Sequence, residues 1–174
     1  MKCFLSCSFS DKDRVIRQWF EEFLDAFPDL KAVVADCGIH RPADQVEMRM
    51  GECQLACFVF TLREGGVPAW ILQEAEMAWQ KGLLIFAFVE KGIPVNKLGT
   101  LPSRIAFQLF DREKLMQEFP TYVKYTYNAR IEALKKQSLD RKQLLKKIDS
   151  LRHDVEVLEH LLEPRDFDPD PDLE

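Results

Sequence analysis

The chain has 174 residues, 47% of them apolar, with 24 Lys+Arg against 29 Asp+Glu and a formal net charge of −5. That length suits one domain with an appendage and a core needing no metal or disulfide staples, and 13 Phe among many aliphatics exclude a globally disordered chain. The longest apolar runs, 55–62 and 82–89, are far too short to span a membrane, and no charged leader with an apolar core opens the sequence. Five cysteines, an odd number, then read as reduced thiols, and the expected location is the cytoplasm. Charge is uneven. Residues 163–174 carry six acids and one base, whereas 130–152 carry eight bases and three acids. The basic stretch has no base-stacking aromatics, so a solvated helix face is expected there and nucleic acid is not an expected partner.

The predicted elements alternate. Residues 2–8 (Lys-Cys-Phe-Leu-Ser-Cys-Ser) read as a buried strand. Ser10 fits a helix N-cap, Asp13 favours the first turn through the helix dipole, and Val15, Ile16, Trp19, Phe20, Phe23, Leu24 and Phe27 recur at helical spacing up to Pro28. Residues 30–36 form a second strand, followed by a loop through Arg41 and a helix opened by Pro42 and running to about Gly51. Residues 54–62 are apolar nearly throughout, as strands covered on both faces are. Pro68 opens a helix to Lys81, Gly82 ends it, and 83–89 form a fourth strand. A shorter fifth strand is expected over 104–110.

Strands separated by helices imply an α/β fold: a parallel sheet with helices on both faces, and for five strands the flavodoxin-like order 2-1-3-4-5. Such folds bind ligands beyond the carboxyl ends of the strands, where strand order reverses. Here those ends are 8–10, 36–41, 61–64 and 89–90. Beyond Leu115 the character changes. Leu144, Ile148, Leu151, Val155, Leu158 and Leu162 follow alternating spacings of four and three, a heptad seam. A long helix is expected, or a helical hairpin broken near a capping-box pattern at Asp140–Gln143. The seam must be covered, by a second copy of the chain in the sharper reading or by the chain's own body in the plainer one. The division expected is therefore 1–118 for the α/β domain, 119–163 for the helical segment and 164–174 for an acidic, disordered tail.

Several chemistries lack their signatures. No Gly-x-x-x-x-Gly-Lys, Gly-x-Gly-x-x-Gly, Gly-x-Ser-x-Gly or Cys-x-x-Cys occurs, and His40, His153 and His160 have no ligand spacing. A receiver domain would need a phosphoacceptor Asp at the third strand end, where Phe60-Thr61-Leu62 stands. Trp70 and Glu74 remain, four apart on the third predicted helix and so on one face. In a cleft, the indole walls a pocket and the carboxylate stabilises positive charge developing on a sugar ring. The same spacing also arises from plain amphipathicity, with Trp in the core and Glu in solvent. Trp79 and Met77 belong to the packing face.

Four pieces, in order, carry a family resemblance over residues 2–111: 4–11 (Phe-Leu-Ser-Cys-Ser-Phe-Ser-Asp), Val33-Val-Ala-Asp36 with the Arg41-Pro42 loop, Cys57-Phe-Val-Phe-Thr61, and Trp70-Ile-Leu-Gln-Glu74 followed by Met77-Ala78 and residues 82–90. Together they resemble a prokaryotic TIR (Toll/interleukin-1 receptor-like) domain. The first loop (Phe9-Ser10-Asp11-Lys12) and the Ala43-Asp44 that follows Pro42 depart from the family's pattern.

The resemblance implies cleavage of the nicotinamide–ribose bond of NAD, as a substrate and with no cofactor or metal. Glu74 would be catalytic and Trp70 a pocket wall. Ser8, Phe9 and Ser10 would line the substrate at the first strand end, and Asp36 and Arg41 would do so by the loop match. It also implies a place in antiphage defence or signalling, a cyclic ADP-ribose-type product in some relatives, a defence-system partner protein, and a homo-oligomer joined through the C-terminal helices. Two alternatives stand beside it: a non-catalytic interaction module, and a nucleoside deoxyribosyltransferase-like hydrolase acting on the same bond type.

Overall fold

The structure is a computed structural model describing residues 1–8, 10–34, 43–63, 66–99, 101, 105–136 and 141–162. Strand β1 spans Lys2–Cys7, β2 Lys31–Val34, β3 Leu55–Phe60, β4 Leu84–Glu90 and β5 Phe107–Phe110. Helix α1 spans Arg14–Asp25, α2 Ala43–Gly51, α3 Ala69–Gln80, α4 Phe119–Lys136 and α5 Arg141–Leu162, with short 3-10 turns at Asp11–Asp13, Val95–Leu98 and Arg112–Lys114. The five strands pair in the order β2-β1-β3-β4-β5, and every pairing is parallel. The flavodoxin-like α/β fold expected from the alternation is therefore the fold observed. Strand order reverses between β1 and β3, where Cys7 stands opposite Val59.

Strand alternation divides the core into two layers. Cys3, Leu5 and Cys7 of β1, Cys57 and Val59 of β3, and Phe86 and Phe88 of β4 face one side, against Ile16, Phe20, Phe23 and Leu24 of α1 and Tyr122 and Val123 of α4. Phe4, Phe58, Phe60, Ala87 and Val89 face the other, against Val46 and Met50 of α2 and Ile71, Ala75 and Ala78 of α3. The phenylalanines concentrate in the first layer, where Phe20 meets Phe88 at 4.8 Å between ring centroids and Phe88 meets Tyr122 at 5.4 Å. Cys3, Cys7, Cys53 and Cys57 are buried free thiols, and burial pushes Cys53 up to about 11.

Several element limits move by a residue or two. β3 stops at Phe60 and leaves Thr61 and Leu62 as a strand-end loop. β5 begins only at Phe107. A 3-10 turn precedes α1, and Ser10 makes no side-chain cap bond there. Asp13 makes no cap bond to α1 either. Its carboxylate is held by Ser8 and by partners far away in sequence. Trp79, expected on the packing face, is 45% exposed, whereas Met77 does pack on the second layer.

Three residues in the middle of the heptad seam are used within the chain. Leu151 is 1% exposed, and Val155 and Leu158 pack against the α1/α4 layer. The middle of the seam is thus covered by the chain's own body, the plainer of the two expected uses, and does not furnish the dimer surface. Fully buried Arg130 of α4 lies over the Phe27 ring at 4.6 Å and pairs with Asp29 and, at 3.8 Å, with Asp154 of α5. Burial pushes this guanidinium down to about 10, against the pull of Asp154. Among the described residues no helix is long and apolar enough to cross a membrane.

Candidate functional site

Two polar constellations stand at the carboxyl end of the sheet, on either side of β1. The first belongs to α3. Pro68 enters that helix in an extended conformation at its N-cap position, which puts Trp70 in the first turn and Glu74 one turn later. Glu74 is only 7% exposed. The hydroxyl of Ser6, in β1, donates to Glu74 Oε2 at 2.6 Å. Ser6 shares its strand face with Phe4, the face that α3 covers, so β1 and α3 bring hydroxyl and carboxylate together. Trp70 is half-buried against the same layer. The shared face expected from four-residue spacing is observed, and the plain amphipathic arrangement, with the Glu in solvent, is not.

The second constellation lies on the α1 side and is centred on Asp13. Its Oδ2 accepts from the hydroxyl of Ser8 at the end of β1, from Thr61 Oγ1 at 3.0 Å at the end of β3, and from Arg63 Nη2 at 3.2 Å. Its Oδ1 accepts from Arg112 Nη2 at 3.0 Å. Burial alone would raise this carboxyl. The hydrogen bonds from Ser8, Thr61 and Arg112 and the charge of Arg63 overcome that and hold it below the ordinary aspartate value. Glu90, at the end of β4, accepts from Arg112 Nε at 2.8 Å and Nη2 at 3.0 Å and from the Leu62 backbone N–H at 2.7 Å. The Glu90 hydrogen bonds, stronger than the cost of burial, bind the Arg112 proton more firmly than usual. One arginine beyond β5 thereby ties together the ends of β1, β3 and β4. Ser10, Lys12, Asp13, Leu62, Arg63, Glu90 and Arg112 line a cavity of about 570 Å³ beside this network.

Of the residues expected from sequence, Glu74, Trp70, Ser8 and Ser10 stand at the carboxyl end of the sheet or on the helix that flanks it. Ser10 donates its backbone N–H to Ser8 Oγ at 3.2 Å. Phe9, Asp36 and Arg41 lie outside the described residues. Sequence reasoning missed Ser6, Arg63 and Arg112; it placed Asp13 at the start of α1, where it stands, but not in the network it centres. A signal for Ser6 was present, since a hydroxyl in a buried strand needs a partner. For Arg112 there was none, because its partners Glu90 and Asp13 stand 22 and 99 positions away.

No family model matches the sequence, and no curated protein matches it. Among solved structures, the chain is similar to the CMP N-glycosidase of Clostridium botulinum, with 15% identity, coverage of 66% of this chain and 92% of that one, and a TM-score of 0.48. A likeness at that level bears on neither the activity nor the site residues.

Proposed function

We propose that this protein cleaves the N-glycosidic bond of a nucleotide, with NAD as substrate and Glu74 as the catalytic carboxylate. The observation that carries the reading is the buried Glu74 carboxylate, oriented by Ser6 at the point where strand order reverses. A ligand in an open parallel sheet enters at that point. A carboxylate held there by a strand hydroxyl is organised before the substrate arrives.

In the reaction, the bond between the ribose anomeric carbon and the nicotinamide nitrogen breaks, and its electron pair leaves with nicotinamide as a neutral base. Glu74 stabilises the oxocarbenium-like ribose that remains. Water adds to the anomeric carbon and releases a proton, giving ADP-ribose. Attack by an adenine nitrogen instead gives a cyclic product, which exclusion of water favours. Trp70 is assigned to the pocket wall, and Ser8, Phe9, Ser10, Asp36 and Arg41 to substrate binding, by the resemblance to TIR domains. The resemblance to TIR domains supports NAD as the substrate and a cytoplasmic role in antiphage signalling with a defence partner. Assembly of copies through the outer face of the C-terminal helices belongs to the same proposal, and exposed Leu145 and Val157 of α5 supply its apolar groups.

The test is product analysis by chromatography and mass spectrometry after incubation with NAD or CMP, over a wide range of protein concentration. Wild type should release nicotinamide from NAD, and folded Glu74→Gln should not. Equal turnover by folded Glu74→Gln would remove Glu74 from the chemistry, and release of cytosine alone would replace NAD by CMP.

A further inference from the structure

The seat of α5 on the body contains polar groups short of partners. Arg130 is fully buried; its Nη2 pairs with Asp29, but its Nε and Nη1 have no hydrogen-bond partner among the described residues. Thr126 is also fully buried, one turn earlier on the same side of α4, and its hydroxyl has none either. The carboxylate that α5 brings to this spot, Asp154, stands 3.8 Å from Arg130 Nη2, beyond hydrogen-bond distance. A buried guanidinium left under-bonded costs stability, and water removes that cost once the group is uncovered. The rest of the seat is a narrow stripe. Leu151 is buried and Val155 and Leu158 are partly buried against the α1/α4 layer, while Leu145, Arg152 and Val157 are exposed. Lifting α5 therefore uncovers one apolar stripe and relieves Arg130.

The sequence between the helices permits α5 to leave. Residues 137–140 (Gln-Ser-Leu-Asp) join α4 to α5 and contain neither the glycine that commonly ends a helix nor a proline that would stop one. The whole of 121–163 is free of both. Nothing in 119–162 therefore bars a single continuous helix, about 66 Å long, which would carry α5 away from its own body. The stripe left open fits Leu151, Asp154, Val155 and Leu158 of an α5, and a second copy of the chain holds the same helix. We infer that two copies of this chain exchange α5, each helix lying on the other copy's α1/α4 layer and bringing its Asp154 to the other copy's Arg130. Exchange of an identical element keeps the contacts of the closed chain, which makes it a low-cost route to a dimer. The heptad seam stays on an α1/α4 layer throughout; only the copy that owns the layer changes. The exchange uses the inner face of α5, whereas the assembly proposed above uses the outer face, and it does not depend on the glycosidic reading.

The test follows association of the full chain by light scattering over a wide concentration range, for wild type and two connection variants. One carries a run of glycines inserted between Leu139 and Asp140; the other lacks Ser138 and Leu139. Wild type should contain a dimer whose share grows with concentration. The glycines favour a turn and should weaken dimerisation by about tenfold, and the deletion denies the turn and should strengthen it by a similar factor. Circular dichroism checks that both variants keep their helices. A second measurement mixes Asp154→Lys with Arg130→Asp. Alone, each variant sets like charges together, whether α5 lies on its own body or on another copy of the same variant. In an exchanged mixed dimer one seat regains Arg130 with Asp154 and the other has the pair reversed, so the mixture should dimerise more tightly than either variant. If Arg130→Asp does not fold, the connection variants decide alone. A chain that stays monomeric even with the shortened connection, a dimer indifferent to both connection variants, or a mixture no tighter than its components would overturn the exchange. Indifference to the connection is the outcome expected of outer-face assembly, and nicotinamide release is scored separately, so loss of either reading leaves the other standing.

Discussion

Replacing Arg112 by Met tests the network that joins the strand ends. The side chain gives three hydrogen bonds to carboxylates and one to a backbone carbonyl. Its loss leaves Glu90, whose side chain is 10% exposed, with the Leu62 N–H, and Asp13, 4% exposed, with Ser8, Thr61 and Arg63. Removing one partner of a buried ion pair costs about 3–5 kcal/mol. Arg112 is itself 37% exposed, so water replaces part of what is lost, and about 2–3 kcal/mol is expected. For a chain of this size that lowers the melting temperature by about 4–12 °C, and with a urea slope near 2 kcal/mol/M it moves the midpoint by about 1–1.5 M. Urea unfolding followed by circular dichroism reads both midpoint and slope. Pairing Arg112→Met with Glu90→Gln should recover part of the loss, because the buried charge is then gone as well. A single mutant within 0.5 kcal/mol of wild type, or a double mutant that loses the full sum, would refute the reasoning.

Asp13 makes stability depend on pH. Its folded value lies below the ordinary 3.8, so the unfolded chain takes up the proton first as pH falls. The stabilisation is fully present above about pH 5 and is lost as pH drops through the folded value. Melting curves between pH 2 and 6 should therefore fall more steeply for wild type than for Asp13→Asn, and parallel curves would exclude the effect. Ser6→Ala should lower kcat/KM about tenfold and cost about 1–3 kcal/mol of stability, since it leaves the buried Glu74 carboxylate one hydrogen bond short. Steady-state kinetics on NAD reads this, and unchanged kinetics would mean that Glu74 needs no orientation by Ser6. Leu151→Ala should cost about 2–4 kcal/mol in urea unfolding, because its side chain is buried between α5 and the body. A cost below 0.5 kcal/mol would mean that α5 is not firmly docked.

The sheet was legible because its signals are local. The runs over β1, β3 and β4 are apolar on both faces, and punctuation by Pro68 and Gly82 marks α3 between them. β5 was visible only in outline, since four residues with a half-buried pattern carry little periodicity. Glu74 could be found because its companion Trp70 lies one helical turn away. The Asp13 network could not, because Thr61, Arg63 and Arg112 reach it from 48, 50 and 99 positions distant and no spacing rule connects them. The heptad seam shows a different limit. Its spacing states that one face must be covered, and only the tertiary contacts of Leu151 and Val155 tell which surface covers it.

The hydroxyl of Tyr125 in α4 receives the Ala87 backbone N–H at 3.4 Å and donates to the Ala106 carbonyl at 2.6 Å, just below the first β4–β5 pair, Ala87 with Phe107. One phenol therefore occupies the donor and the acceptor that another extended segment would need to join the sheet beneath β5. The lower outer edge of β4 is guarded by a side chain of the C-terminal region, and not by a strand. Unguarded edges recruit other chains, so unseating α4 would open this end of β4 to pairing with another chain.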